Sequence, residues 1–416
     1  MSATTPLITN DAVVMGLLAA ILGFIFYTSH SENANWQRFY RYVPSILLCY
    51  FIPSLFNTFG VIDGEHSKLY DVAKTYLLPV CLVLLTLSVD FKAILGLGSK
   101  ALILFLTGTL GIIIGGPIAL LVVGSFFPEQ LGGEGANAVW RGMATIAGSW
   151  IGGSANQAAM KEVFEPSGEI FSVMITVDVI VANIWTAVLL WMAANSVAID
   201  RRNGADTAAM EHLKNQIEQY QAEHSRNPST TDLMMIIAVG FAVAGVSHLL
   251  ADFIAPWIAT NAPELAMYSL TSGFFWIVVL ATTFGLLLSG TKMKRLEAVG
   301  ASKVGSVMVY ILVATIGMHM DVSAITKYPV MFLAGLVWIS VHAGLMLLMM
   351  RVLKAPVFYM AVGSQANIGG AASAPVVAAA FHPALAPVGV LLAVLGYALG
   401  TYGGYLSALM MQAVAP

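Results

Sequence analysis

The chain has 416 residues, of which 58% are hydrophobic and only 10% charged, with a mean hydropathy of +0.82. This composition excludes a soluble globular domain and points to an all-α polytopic membrane protein. A formal charge of -3, with basic residues scattered over loops, gives no nucleic-acid footprint.

Apolar segments of spanning length fall at about 11–29, 43–60, 70–89, 101–124 and 168–197, then at about 232–257, 266–289, 304–320, 329–350 and 384–411. The first is read as a retained helix, because no small-residue cleavage pattern follows it. Cys49 and Cys81 sit in separate apolar segments without metal-type spacing and read as small core residues. Between the two sets lies a polar cytoplasmic linker, 199–231, in which Met210, Leu213 and Ile217 have surface-helix spacing. The expected organisation is a first membrane repeat over 1–198 and a second over 232–416.

Two glycine-rich, amide-bearing phrases interrupt the apolar pattern, Gly148-Ser-Trp-Ile-Gly-Gly-Ser-Ala-Asn156-Gln157 and Gly363-Ser-Gln-Ala-Asn367-Ile-Gly-Gly-Ala-Ala-Ser373. Unwound backbone and carboxamides need polar partners that lipid does not supply, so such segments should line a cavity. The halves register on one another. Ile151-Gly152-Gly153 matches Ile368-Gly369-Gly370 at an offset of 217, and Asp90 matches Asp321 at 231.

Each phrase lies in a segment, about 142–163 and about 357–381, that either crosses once as a broken helix or enters and returns as a hairpin. Five crossings plus a re-entrant hairpin per half give inverted repeats. In that case Lys and Arg divide 14 against 5 with both termini outside, whereas crossing segments give 13 against 6 with the termini inside. The hairpin arrangement is favoured because it also places the early Arg38 and Arg41 loop inside.

The Gly-Ser-x-Ile-Gly-Gly phrase, the helix end Leu-Ser-Val-Asp90 and the closing Leu395-Gly-Tyr-Ala-Leu-Gly-Thr-Tyr402 resemble the YjcL-like family of uncharacterised membrane proteins over nearly the whole chain. More distantly, Gly152-Gly-Ser-Ala-Asn156, Phe171-Ser-Val-Met-Ile-Thr176 and Gly363-Ser-Gln365-Ala-Asn367 resemble the broken helices and sodium-site helix of bile-acid/sodium symporters. Those belong with the glutamate and citrate sodium symporters to the elevator-type carriers. The acidic residue of the bile-acid family before the Gln-Asn pair has no counterpart here, where Met360 and Ala361 stand. The resemblance implies core and scaffold domains, and a homodimer of the kind elevator-type relatives often form.

Glycine permits helix ends within the bilayer, and freed N–H groups at half-helix N-termini favour an anion. The expected substrate-binding set is Ser149, Gly152, Gly153, Ser154, Gln365, Gly369, Gly370 and Ser373. Asn156, Gln157, Thr176, Asp178 and Asn367 offer oxygens to a cation. The bland alternative is small-residue packing with amides as interhelical glue. Asp178, deep in its segment, reads either as cation ligand or proton carrier, or as a structural hydrogen-bonding group.

Asp90 and Asp321 read as helix-end carboxylates, Lys161, Glu162 and Glu165 as solvated charges, and His319 and His342 as satisfied packing histidines, with titration near neutral pH the alternative. The expectation is a secondary active transporter in the bacterial inner membrane, a Na+-coupled symporter of elevator type with H+ coupling through Asp178 left open, without other cofactor and without enzymatic activity. It would carry a small carboxylate-bearing solute: an organic acid, amino acid or short peptide. A monovalent cation/proton antiporter using Asp178 is the alternative within transport, and a membrane sensor or enzyme the alternative outside it.

Overall fold

A computed structural model describes the chain except residues 1–5, 41, 42, 44, 65, 90, 206–226, 269, 319–327, 383 and 384. Asp90, Asp321, His319 and the linker residues Met210, Leu213 and Ile217 lie outside the described residues. Among the described residues the fold is helical, with one isolated β-bridge between Ile8 and Ile62.

Ten helices account for the apolar segments. They are α1 (Asp11–Ser29), α2 (Ser45–Thr58), α3 (Leu69–Leu87), α4 (Ser99–Gly124), α5 (Gly168–Ala194), α6 (Thr230–Asn261), α7 (Gly273–Ser289), α8 (Ala301–Gly317), α9 (Pro329–Val352) and α10 (Ala386–Val414). Seven described helices are long and apolar enough to cross a membrane, and an eighth arises when α7 is joined to Lys292–Val299 across a 96° bend. Local chemistry sets several starts. Asn10 accepts the Ala12 N–H ahead of α1, Ser167 caps α5, and Ser229 with Asp232 forms a reciprocal capping box on α6.

The two glycine phrases occupy Val139–Phe164, here called hairpin A, and Val357–Phe381, hairpin B. A straight helix from Trp140 to Phe164 would separate its ends by about 36 Å at 1.5 Å per residue. Instead their rings meet edge to face at 5.7 Å, and Arg141 donates to the Phe164 carbonyl. Phe358 and Phe381 close hairpin B in the same way at 5.3 Å. Both segments therefore double back. The reversals fall at Gly153, with φ 74° and ψ -172°, and at Gly370, with φ 58°, conformations that a side chain strongly disfavours. These are the two glycines that the offset of 217 pairs.

The helices sort into two groups. The α1, α2, α3, α6, α7 and α8 helices pack on one another, while α4, α5, α9, α10 and both hairpins pack on one another. Within the second group, hairpin A lies on α10 at glycine-to-glycine range. A Cβ on Gly404 would stand 3.1 Å from the Gly148 Cα, and one on Gly400 would stand 2.7 Å from the Gly152 Cα. Small residues let backbones approach in this way, where apolar solvent gives helices little drive to associate.

Enlarging that contact should unseat the hairpin. Gly400→Val is expected to lower stability by about 1–3 kcal/mol through overpacking, read as a fall in the detergent-solubilised melting temperature. Gly245→Val, on exposed α6 with nothing within 4 Å of its Cβ position, should leave stability within experimental error of a helix-propensity change.

Candidate functional site

The hairpin tips meet. A Cβ on Gly370 would lie 3.7 Å from the Gly153 Cα. Beside them a cavity of about 180 Å³ opens between the two helix groups. Gly153, Ser154, Ala155, Gly369, Gly370 and Tyr397 face it from the hairpin group, and Leu85, Ser306, Val309 and Tyr310 from the other. The second arm of each hairpin starts at this point. The first turn of an α-helix holds N–H groups with no intrahelical acceptor, so two partially positive helix ends converge on one small, hydroxyl-bearing space.

Of the residues expected at a substrate site, Gly153, Ser154, Gly369 and Gly370 line this cavity. Gly152 is enclosed by Asn156 and α10, and Ser149 is buried. Gln365 bridges the two arms of hairpin B, donating from Nε2 to the Ser373 hydroxyl at 2.7 Å and accepting at Oε1 from Thr186 at 3.1 Å.

The amides expected to meet a cation are engaged by protein. Asn156 donates from Nδ2 to the Gly152 and Tyr397 carbonyls and accepts at Oδ1 from Thr401 at 2.7 Å. Asn367 repeats the arrangement with the Gly363 and Phe105 carbonyls and with Thr109 at 2.8 Å. In both, the amide satisfies a carbonyl four residues back and clamps the hairpin to a neighbouring helix. At the offset of 217, however, Asn156 pairs with Ser373 and Asn367 with Trp150, so the two amides sit on opposite arms of their hairpins.

Asp178, 6% exposed on α5, joins the two arms of hairpin A. Oδ1 accepts from Trp150 Nε1 at 2.6 Å on the first arm, and Oδ2 from Gln157 Nε2 at 2.8 Å on the second. Tyr50 of α2 donates to Gln157 Oε1 at 3.1 Å, extending the chain into the other helix group. Thr176 turns its hydroxyl to the Ser172 carbonyl of its own helix. A second buried chain fixes hairpin B. Trp185 donates to Ser364, whose hydroxyl lies 2.7 Å from His342 Nε2, while His342 Nδ1 donates to the Gly108 carbonyl at 3.0 Å. His342 is thus a buried histidine with a polar partner on each nitrogen, as a satisfied packing histidine requires.

Lys161 and Glu162 depart from the solvated reading. Their side chains are 17% and 12% exposed, because α3 covers the hairpin base. Lys161 bonds the Tyr70 hydroxyl and lies 3.0 Å from Glu162, and Lys74 stands 3.8 Å from the same carboxylate. Glu165, one turn on, is exposed as expected. The spacing of these charges revealed nothing of the Tyr70 partner, which comes from a helix about 90 residues earlier. Ser306 and Tyr310 were also missed. Their only signal is a hydroxyl pair at i, i+4 in an apolar helix. Cys49 and Cys81 are buried and unpaired, and the described residues hold no group of three His, Cys, Asp or Glu side chains suited to a metal.

Replacing Asp178 separates the joining role from a merely polar one. Asp178→Asn presents one N–H₂ to a donor where a carboxylate oxygen accepted, and should cost about 1–3 kcal/mol, measured as a lower melting temperature. Unchanged stability would show that the two arms do not depend on this acceptor.

Comparison with known proteins gives the chain a family. Residues 16–414 match the family described as a protein of unknown function, DUF819. The chain is similar to an uncharacterized membrane protein, YjcL, of Bacillus subtilis (strain 168), with 23% identity over 366 residues covering 84% of this chain and 85% of that protein. By composition, helical architecture and this match along nearly its whole length, the chain is a polytopic membrane protein that belongs to the DUF819 family.

Proposed function

We propose that the protein is a secondary active transporter that moves a small carboxylate-bearing solute, with Na+ as the coupling ion, by alternating access of an elevator type. The observation that carries the reading is the meeting of the two hairpin tips at a cavity on the boundary between two helix groups. In this reading α4, α5, α9, α10 and the hairpins form the moving core, and the first three helices of each half form the scaffold.

The boundary suits relative motion. Its polar contacts include hydroxyl pairs, Thr282 with Thr401 at 3.1 Å and Thr283 with Tyr402 at 2.7 Å, which can exchange partners more readily than interlocked large side chains. The convergent helix N-termini favour an anionic solute group. Carbonyls freed at the ends of the first arms supply oxygens of the kind Na+ accepts. The engagement of both Asp178 oxygens by Trp150 and Gln157 weighs for symport over an antiport in which Asp178 exchanges cations.

Proteoliposomes containing the purified protein test the proposal. A labelled short-chain organic acid should accumulate several-fold faster under an inward Na+ gradient than under K+, and Gly370→Val should abolish the stimulation while the protein still elutes as a folded species. Cation-dependent proton flux with no requirement for solute would replace symport with antiport. Absence of both activities across a panel of organic acids, amino acids and dipeptides would contradict a transport role.

A further inference from the structure

On α5 the exposed large side chains Ile180, Ile184, Val188 and Trp191 follow one another at intervals of four, four and three residues, which places them on one helical face. From Ile180 to Trp191 this stripe is about 16 Å long at 1.5 Å per residue, the depth of one leaflet of a hydrocarbon core about 30 Å thick. At its end α5 stops at Asn195, and the chain continues as a short helix, Ser196–Asn203.

The short helix is held in a fixed rotation. Asp200 on its inner face accepts the Val357 N–H at 2.7 Å, and Asn203 donates to the Met350 and Ala355 carbonyls at 3.2 and 2.9 Å. Burial pushes the Asp200 carboxyl above its usual range, and the Val357 N–H opposes the shift. With that face tied to α9, its following connector and the start of hairpin B, Val197, Ala198, Arg201 and Arg202 are turned outward. They line a concavity of about 730 Å³ that opens where the apolar stripe ends.

An apolar track one leaflet deep, an exposed tryptophan near its end and two adjacent guanidinium groups match the parts of one kind of molecule. The arginine forks suit phosphate oxygens, tryptophan suits the headgroup level, and the stripe suits an acyl chain. We propose that Arg201, Arg202 and the stripe ending at Trp191 form a binding site for an anionic phospholipid of the leaflet on the linker side. The charge of the arginines selects the anionic headgroup, and the stripe distinguishes a lipid from free phosphate. Because Asp200 joins the short helix to the start of hairpin B, and Asn203 joins it to α9 and to the connector between α9 and the hairpin, a lipid held here is fastened to the hairpin group.

The test uses the full-length protein in dodecyl maltoside, titrated with phosphatidylglycerol, phosphatidylcholine or inorganic phosphate, with native mass spectrometry and thermal stability as readouts. Phosphatidylglycerol should give retained adducts and a raised melting temperature, with little effect from the other two. The Arg201→Gln/Arg202→Gln variant should weaken phosphatidylglycerol binding by about tenfold or more, and Trp191→Ala should weaken it less, both variants eluting as the wild type does. Equal effects of the two lipids, full affinity in the double variant, or reproduction of the stabilisation by inorganic phosphate would each overturn the proposal. None of these readouts involves transport, so the site stands or falls independently of the proposed function.

Discussion

The reversal of the chain at Gly153 and Gly370 is the constraint on which the rest of the structure depends. Ending a helix inside an apolar medium frees carbonyls on one arm and N–H groups on the other, each costly if left without a partner. Asn156 answers that problem directly, returning its amide to the Gly152 carbonyl at the end of the first arm. Asn367 clamps hairpin B to a neighbouring helix, and Asp178 gathers a side-chain donor from each arm of hairpin A, so both hairpins are held in their folded-back form. Glycine on the facing helix completes the arrangement, since hairpin A reaches α10 closely enough only where Gly400 and Gly404 lack side chains.

A consequence is that side-chain polarity is concentrated behind the tips, while the tips themselves present backbone. The cavity beside them is bounded by glycines, two serines, two tyrosines and small or apolar residues. Its electrostatic character comes chiefly from helix termini, which act over short range and without a titrating group. In the proposed transport cycle, such a site binds a solute and its counter-ion together, and the polar staples behind it keep the two tips in register while the groups move. The Lys161, Tyr70, Glu162 and Lys74 contacts at the base of hairpin A, together with Tyr50 and Gln157, are among the bonds that such a movement would have to exchange.

Sequence reading placed the apolar elements well, because a spanning helix is specified by length and hydropathy alone. Nine of the ten helix ranges, from Asp11–Ser29 to Ala386–Val414, lie within a few residues of the segments expected, and α7 begins seven residues late because Pro263–Tyr268 forms separate 3₁₀ turns. The glycine phrases were legible as breaks, and the offset of 217 paired the two residues that carry the positive φ angles. Side-chain direction was not legible. Asn156 and Gln157 are adjacent in sequence, yet one clamps α10 and the other reaches α5, and the choice depends on Tyr397, Thr401 and Asp178 far along the chain. The burial of Lys161 and Glu162 was hidden for the same reason.

In the proposed transport cycle the hairpin tips enclose a solute-accessible cavity. The most direct measurement is modification of Ser154→Cys, at the start of the second arm of hairpin A, by a membrane-impermeant thiol reagent in reconstituted vesicles, against the native background of buried Cys49 and Cys81. Labelling of the Ser154→Cys variant should slow when a transported organic acid and Na+ are added together. A cysteine that labels at the same rate with and without solute and ion, or that is inaccessible from either side of the vesicle, would contradict that cycle.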